Sequence, residues 1–324
     1  MTGAPFPRLL GDVGGTNARF AWQSEAGAAL TSVVSHRCED DASLLDSIQR
    51  YRHSQGLPVP ASAAIGMANP ITGDAVQMTN HHWSFSIARL EQDLGVQRLA
   101  VINDFTALAL SLPTLRPADL HRIGSGEPVP QAAQALLGPG TGLGVSGLLP
   151  GPGGHAVPIA GEGGHVTLSP CDAQEAAVVD WLRERYGHPS AERALSGPGL
   201  VNLYQAAAGI AGRAPEALDA AAVVQRARDT AQPCQACRAA VELFCSFLGS
   251  VAGNLALTLG ARGGVYVGGG IAPRLLPELA RSRFRERFES KGRFRGYLAG
   301  IPTFVIQANE SPALLGASRA LDAG

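Results

Sequence analysis

The chain has 324 residues, with 26 basic against 27 acidic side chains and a formal net charge of −1. That length suits about two domains, each large enough to bury a core of its own. The near-cancelled charge excludes the basic footprint of a nucleic-acid binder or of an anchor to anionic membranes.

In chain order, Met1 to Pro7 has neither the basic nor the apolar segment of a secretory signal, so none is expected. Arg8–Val13 and Ala18–Gln23 read as the strands of a hairpin, and Ala29–Ser35 as a third strand. Ala42–Gln55 carries Leu44, Leu45, Ile48 and Tyr51 at helical spacing. Ala61–Ala68 reads as a strand, and Ser86–Gly95 as a short helix capped by Ser86 and stopped by Gly95. Arg98–Ile102 is a strand ending in Asn103-Asp104, and Phe105–Leu112 a helix that stops before Pro113. Leu115 to Pro130, punctuated by proline and charge, is the expected linker. A strand-rich section, Ala135 to Ser169, precedes helical segments at Ala173–Tyr186, Gly199–Gly209, Ala214–Thr230 and Cys237–Leu259. Gly264–Gly268 and Pro302–Gln307 read as strands and Pro312–Leu321 as a closing helix. Strands followed by helices, twice over, predict an α/β chain of two similar halves. The longest apolar stretch, Val241 to Leu259, contains Glu242, Asn254 and two glycines, which suits a buried helix better than a membrane span.

Two turns stand out. Gly11-Asp12-Val13-Gly14-Gly15-Thr16 joins the first two strands, and Gly140-Thr141-Gly142 echoes it in the second half. Glycine lets backbone N–H groups approach an anion closely, and Thr16 and Thr141 add hydroxyl donors. Either turn alone is also an ordinary tight hairpin, with Asp12 a turn residue; two in corresponding positions point to two phosphate loops. Asp12 would repel phosphate unless Mg²⁺ stands between them. The chain has no Gly-x4-Gly-Lys-Ser/Thr P-loop. Gly142 to Gly147 matches a dinucleotide pattern, but the Leu-Leu-Pro-Gly-Pro that follows cannot form the required helix.

Asp104, where a strand gives way to a helix, is either an N-cap residue or a general base positioned to accept an alcohol proton during phosphoryl transfer; Asn103 beside it suits a neighbouring hydroxyl. Glu162 and His165 lie in a glycine-flanked loop suited to hydroxyl recognition, and Glu192 is a third acid nearby in sequence. Gly268-Gly269-Gly270 offers bare backbone to a flat adenine or ribose, with Ser196-Gly197-Pro198-Gly199 as a facing wall. Five cysteines without an export signal read as reduced thiols in the cytoplasm. Cys234-Gln235-Ala236-Cys237 has no second ligand pair for zinc and lacks the strand–helix context of a thioredoxin motif, so it reads as helix-end packing. His81-His82 reads as structural.

These motifs, in this order and spacing over nearly the whole chain, resemble the bacterial hexokinase-like kinases of the actin-like ATPase superfamily, and within them the proteobacterial glucokinase family. The resemblance rests on Gly11 to Arg19, Pro70 to Asp74, Met78-Thr79-Asn80-His81, Ile102 to Ala107, Gly140 to Gly144, Gly161 to Val166, Ala191-Glu192-Arg193, Leu195 to Leu200 and Gly268 to Ile271. It implies two ribonuclease H-like domains flanking an active-site cleft, with 1–114 plus 303–324 forming the smaller domain and 115–302 the larger. It implies ATP and Mg²⁺ as cofactors, glucose as substrate, a cytoplasmic location and a homodimer. Gly11, Asp12, Val13, Gly14, Gly15 and Thr16 would then form the first ATP loop, with Asp12 on the metal. Thr141 and Gly142 would form the second loop, and Gly269 would meet the nucleoside. Asp104 would be the base on the sugar 6-hydroxyl, and Asn103, Glu162, His165 and Glu192 would hold the other hydroxyls. The related repressor branch carries a Cys-rich zinc motif after its Gly-His segment; here Cys171 stands alone, so zinc is not expected, nor is a helix-turn-helix before the first strand. A kinase for fructose or mannose, or a sugar-binding regulator without activity, would share the fold; a pure sensor has no need of Asp12, both loops and Asp104 together.

Overall fold

The computed structural model describes residues 3–79, 81–151, 156–308 and 311–322, so Asn80 of the motifs above lies outside the described residues. The strands are β1 (Arg8–Val13), β2 (Asn17–Gln23), β3 (Thr31–Arg37), β4 (Ser62–Met67), β5 (Ala75–Gln77), β6 (Ser84–Ser86), β7 (Arg98–Asn103), β8 (Leu120–Ile123), β9 (Gln134–Pro139), β10 (Leu143–Pro150), β11 (Ala156–Gly161), β12 (Val265–Val267) and β13 (Thr303–Ile306). The helices are α1 (Leu44–Ser54), α2 (Ile87–Leu94), α3 (Asp104–Ser111), α4 (Ala173–Tyr186), α5 (Gly197–Ile210), α6 (Ala220–Arg228), α7 (Gln235–Leu259), α8 (Leu276–Arg281), α9 (Phe284–Glu289), α10 (Arg295–Ala299) and α11 (Pro312–Ala320).

The chain divides into two compact units: Met1–Arg116, Leu148–Ala160 and Ala308–Gly324 form the first, Pro117–Gly147 and Gly161–Gln307 the second. The first holds a sheet of order β3-β2-β1-β4-β7. Side chains alternate across a strand, and the sequence of β1 uses both faces. Leu9 and Val13 join Phe20, Ile48, Tyr51 and Ile65 on one side, whereas Leu10 packs with Ala64, Leu314 and Ala317 on the other. Buried Arg8 ties the chain's two ends together, donating to the Ser318 carbonyl at 3.2 Å and to Asp322 Oδ1 at 2.6 Å. This is why α11 belongs with the first sheet.

The second sheet, whose strands β8, β9, β12 and β13 lie in the second unit, has the order β11-β10-β9-β12-β13-β8. Its first five members repeat the third-second-first-fourth-fifth order of the first sheet, and in both the first, fourth and fifth strands run parallel. A shared strand order supports the reading of two similar halves. Around the second sheet, Leu200 and Leu203 of α5 and Phe244, Phe247 and Leu248 of α7 form one core with Phe284 and Phe288 of α9. By length and composition α7 passes for a membrane span, but most of it is buried inside the protein.

Several expectations need correction. The 115–130 stretch is not a bare linker: it contains β8, which pairs antiparallel with β13. Residues 303–307 belong to the second unit because β13 also pairs in parallel with β12, so the boundary falls after Gln307 instead of before Thr303. Residues 115 and 116, and the 148–160 stretch, group with the first unit. The helix expected over 214–230 is confined to α6, capped by Asp219. The short helices α8, α9 and α10 and the β5–β6 hairpin were not anticipated.

Candidate active site

The first unit gathers eight of the singled-out residues, Gly11 to Thr16 with Asn103 and Asp104. The β1–β2 hairpin turns between Val13 and Ala18, closed by the Gly14 N–H donating to the Asn17 carbonyl at 2.9 Å. The Cys38 N–H holds the Thr16 carbonyl at 2.8 Å and so braces the turn from β3's end. Thr16 is exposed and Asp12 half-buried, whereas the Val13 side chain lies in the core and leaves only its backbone for a ligand. Ser311 donates its hydroxyl to Asp12 Oδ2 at 2.7 Å.

Parallel pairing aligns Asp12 with Gly66 and Gly66 with Ile102. Asp12 and Asn103 therefore stand at the same C-terminal edge of three parallel strands, the edge where α/β proteins collect their ligands. Asn103 is the N-cap of α3: its Oδ1 accepts from the N–H groups of Phe105 (2.9 Å) and Thr106 (3.1 Å). The amide oxygen is thus committed to the helix, and the Nδ2 donor is what remains for a substrate. Asp104 begins α3, with Oδ1 accepting the Phe105 N–H at 2.9 Å. Behind them, buried Asn69 accepts from Thr79 N–H and Oγ1 and receives Asn103 Nδ2 on its carbonyl at 3.4 Å.

The second unit gathers Thr141, Gly142, Glu162, His165, Glu192 and Gly269. The turn between β9 and β10 is closed by the Gly140 N–H on the Gly142 carbonyl at 2.8 Å. Glu192 Oε2 accepts the Leu143 N–H at 2.8 Å, so the expected sugar ligand also fastens the expected phosphate loop. A Cβ on Gly142 would strike that carboxylate. On another side, the Gly197 N–H at the start of α5 donates to the Gly140 carbonyl at 2.8 Å. Gly269 adopts a left-handed φ of 75° and packs its bare Cα against Gly138 and Pro139.

Glu162 and His165 bracket a single 3-10 turn and are both exposed. Gly164 between them rests directly on the Leu143 backbone, with no room for a Cβ. The segment after them is stitched to the one before Glu192: Ala191 N–H to the Val166 carbonyl (2.8 Å) and Leu168 N–H to the Pro189 carbonyl (2.9 Å). The Glu192 turn is fixed from behind as well. Ser196 Oγ donates to the Glu192 carbonyl at 2.8 Å, and Asn202 Nδ2 to the Arg193 carbonyl at 2.9 Å.

Sequence reasoning missed Ser311, Asn69, His188 (whose Nε2 meets the His165 carbonyl at 3.0 Å) and Asn202. The helix start at Pro312 was legible, but the bond from the preceding Ser311 to a partner 299 residues earlier was not.

Duplicated sheets of this order, a Gly-Thr turn between the first two strands of each, and carboxylates at the strand ends define a sugar kinase of the actin-like ATPase fold. The glucokinase family model matches residues 9–323. The chain is 54% identical to a glucokinase from Aromatoleum aromaticum over 318 residues, covering 98% of this chain and 95% of that one. It is 46% identical to a glucokinase from Neisseria meningitidis over 319 residues, covering 98% and 96%. The solved structure of a glucokinase from an Antarctic psychrotroph superposes with a TM-score of 0.88 at 35% identity, covering 98% and 99%. The chain belongs to the glucokinase family, enzymes that phosphorylate glucose with ATP.

Proposed function

We propose that Asp104 is the general base of this phosphorylation: it takes the proton of the glucose 6-hydroxyl as the oxygen–phosphorus bond forms and ADP leaves. The observation that carries this reading is the carboxylate at the first residue of α3, on the same sheet edge as the Asp12 loop. Asn103 donates Nδ2–H to a neighbouring sugar hydroxyl, its oxygen being held by α3. Glu162, His165 and the Oε1 side of Glu192 hold further hydroxyls; the first two are exposed and exchange water for sugar at small cost. Backbone N–H groups of the Gly11–Thr16 turn, the Thr16 hydroxyl and the Thr141-Gly142 turn take phosphate oxygens. The bare backbone at Gly269 receives the nucleoside.

Asp12 fits a Mg²⁺ role. Among the described residues no group of three or more Asp, Glu, His or Cys gathers to hold a metal. Mg²⁺ suits a single carboxylate completed by water and phosphate oxygens, and it would offset phosphate charge when bound with ATP. Ser311 keeps Asp12 Oδ2 oriented. Family membership supports a cytoplasmic location and a homodimer, and light scattering on the purified chain tests the dimer.

Steady-state kinetics test the sugar assignments. Glu162→Gln should raise the KM for glucose, a charge-assisted hydrogen bond being worth about 1.5–3 kcal/mol; an unchanged KM removes Glu162 from the sugar site. Running glucose, fructose and mannose with ATP, and glucose with polyphosphate, defines substrate and donor; glucose with ATP should be the preferred pair.

A further inference from the structure

Outside the kinase residues, the structure places two thiols together at the start of α7. Cys234 is the N-cap of that helix, its Sγ accepting the Cys237 N–H at 3.3 Å. The two Sγ atoms lie 2.6 Å apart, in hydrogen-bond contact. Cys234 is half-buried and Cys237 fully buried. The pair is held in place: Arg238 donates to the carbonyls of Ala227 (3.2 Å) and Asp229 (3.0 Å), and Asp229 Oδ1 accepts the N–H groups of Ala231 and Gln232. The segment before the helix and its first turn are therefore fixed with the sulfurs already facing each other.

We propose that Cys234 and Cys237 are a reversible dithiol–disulfide site, with Cys234 the attacking thiol and Cys237 the resolving one. The Cys237 thiol is pushed up to about 12 by burial first and then by its bond to Cys234; Cys234 is the more exposed sulfur and the one a small disulfide can reach. The oxidant is a small-molecule disulfide. The Cys234 thiolate attacks one of its sulfurs, forming a mixed disulfide and expelling one thiolate. The Cys237 sulfur then attacks Cys234 Sγ, gives up its proton and expels the second thiol. Two electrons pass from the protein dithiol to the small disulfide, which leaves as two thiols. The packing role that the spacing suggested accounts for a buried Cys237, but not for a second sulfur within 2.6 Å of it.

The test is to equilibrate the full-length enzyme in reduced and oxidised glutathione buffers, quench with an alkylating agent and measure peptide masses. The wild type should lose two hydrogens in the Cys234–Cys237 peptide, as a two-electron couple, with no glutathione retained. Cys237→Ser should stop at a glutathione adduct on Cys234, and Cys234→Ser should leave Cys237 unmodified. Both thiols staying free across the series, or each taking its own glutathione, would overturn the proposal, and the wild-type result alone decides it if a variant fails to fold.

Discussion

Ser311 stands at the N-cap position of α11, yet its hydroxyl makes no bond to that helix; it donates instead to Asp12 Oδ2 at 2.7 Å. A residue placed to cap one element is used to aim the carboxylate of another, in the turn that this account assigns to ATP. Ser311→Ala should therefore barely change Tm, because no cap bond is lost. It should lower kcat/KM for Mg²⁺-ATP by roughly 10- to 150-fold, the equivalent of about 1.5–3 kcal/mol for one hydrogen bond to a charge. Ser311→Thr should restore most of it. A large fall in Tm with unchanged ATP kinetics would assign Ser311 a purely structural role.

Glu192 is expected to serve two substrates, since one carboxylate oxygen holds the Leu143 N–H beside the Thr141 turn. Glu192→Ala should raise the KM for both glucose and ATP. Glu192→Gln keeps an oxygen for the Leu143 N–H and should raise mainly the KM for glucose. Identical kinetic profiles for the two variants would separate the phosphate loop from this side chain.

Gly164 carries the Glu162–His165 turn directly on the Leu143 backbone, where an added Cβ would lie 3.1 Å from the Leu143 carbonyl carbon. Gly164→Ala should cost about 1–3 kcal/mol of stability, the range for overpacking. Gly161→Ala is the control: its Cβ would meet no atom within 4 Å. Denaturant midpoints of the two variants should differ clearly, and equal midpoints would contradict the packing argument.

Asp172 caps α4 by accepting the Glu175 N–H at 2.9 Å and pairs with Arg287 and, at 3.5 Å, with Arg283. The Glu175 amide foremost, with Arg287 and Arg283, holds its carboxyl below the usual range. A carboxylate with a depressed folded pKa adds stability above its unfolded value of about 3.9. That stability is lost as pH falls through the lower folded value. Asp172→Asn keeps a capping oxygen and removes the charge, so its Tm deficit should be full near neutral pH and shrink below about pH 4. A deficit that stays constant with pH would contradict the assignment.

What could be read without coordinates follows from range. The β1–β2 turn, the β9–β10 turn and Asn103-Asp104 are local: apolar arms, a glycine turn, and a strand running into a helix. The edge strand β8 reads as linker in the sequence because its partner β13 lies about 180 residues away and Leu120–Ile123 alternates too briefly to declare itself. Helices α8 to α10 are five or six residues long, under two turns, which gives an apolar period no room to repeat. Asn103 was legible as a polar residue beside Asp104, but the commitment of its oxygen to Phe105 and Thr106 depends on where α3 starts. Ser311, Asn69 and His188 act through partners distant in the chain, and no local pattern announces them.

The central claim is that Asp104 removes the proton from the glucose 6-hydroxyl. Single-turnover and steady-state rates of ADP formation on Asp104→Ala, with Tm measured alongside, test it most directly. The account predicts a fall in kcat of roughly 10²–10⁴-fold, the usual span for a general base, with Tm close to that of the wild type. Turnover near the wild-type rate in a folded Asp104→Ala enzyme would contradict it.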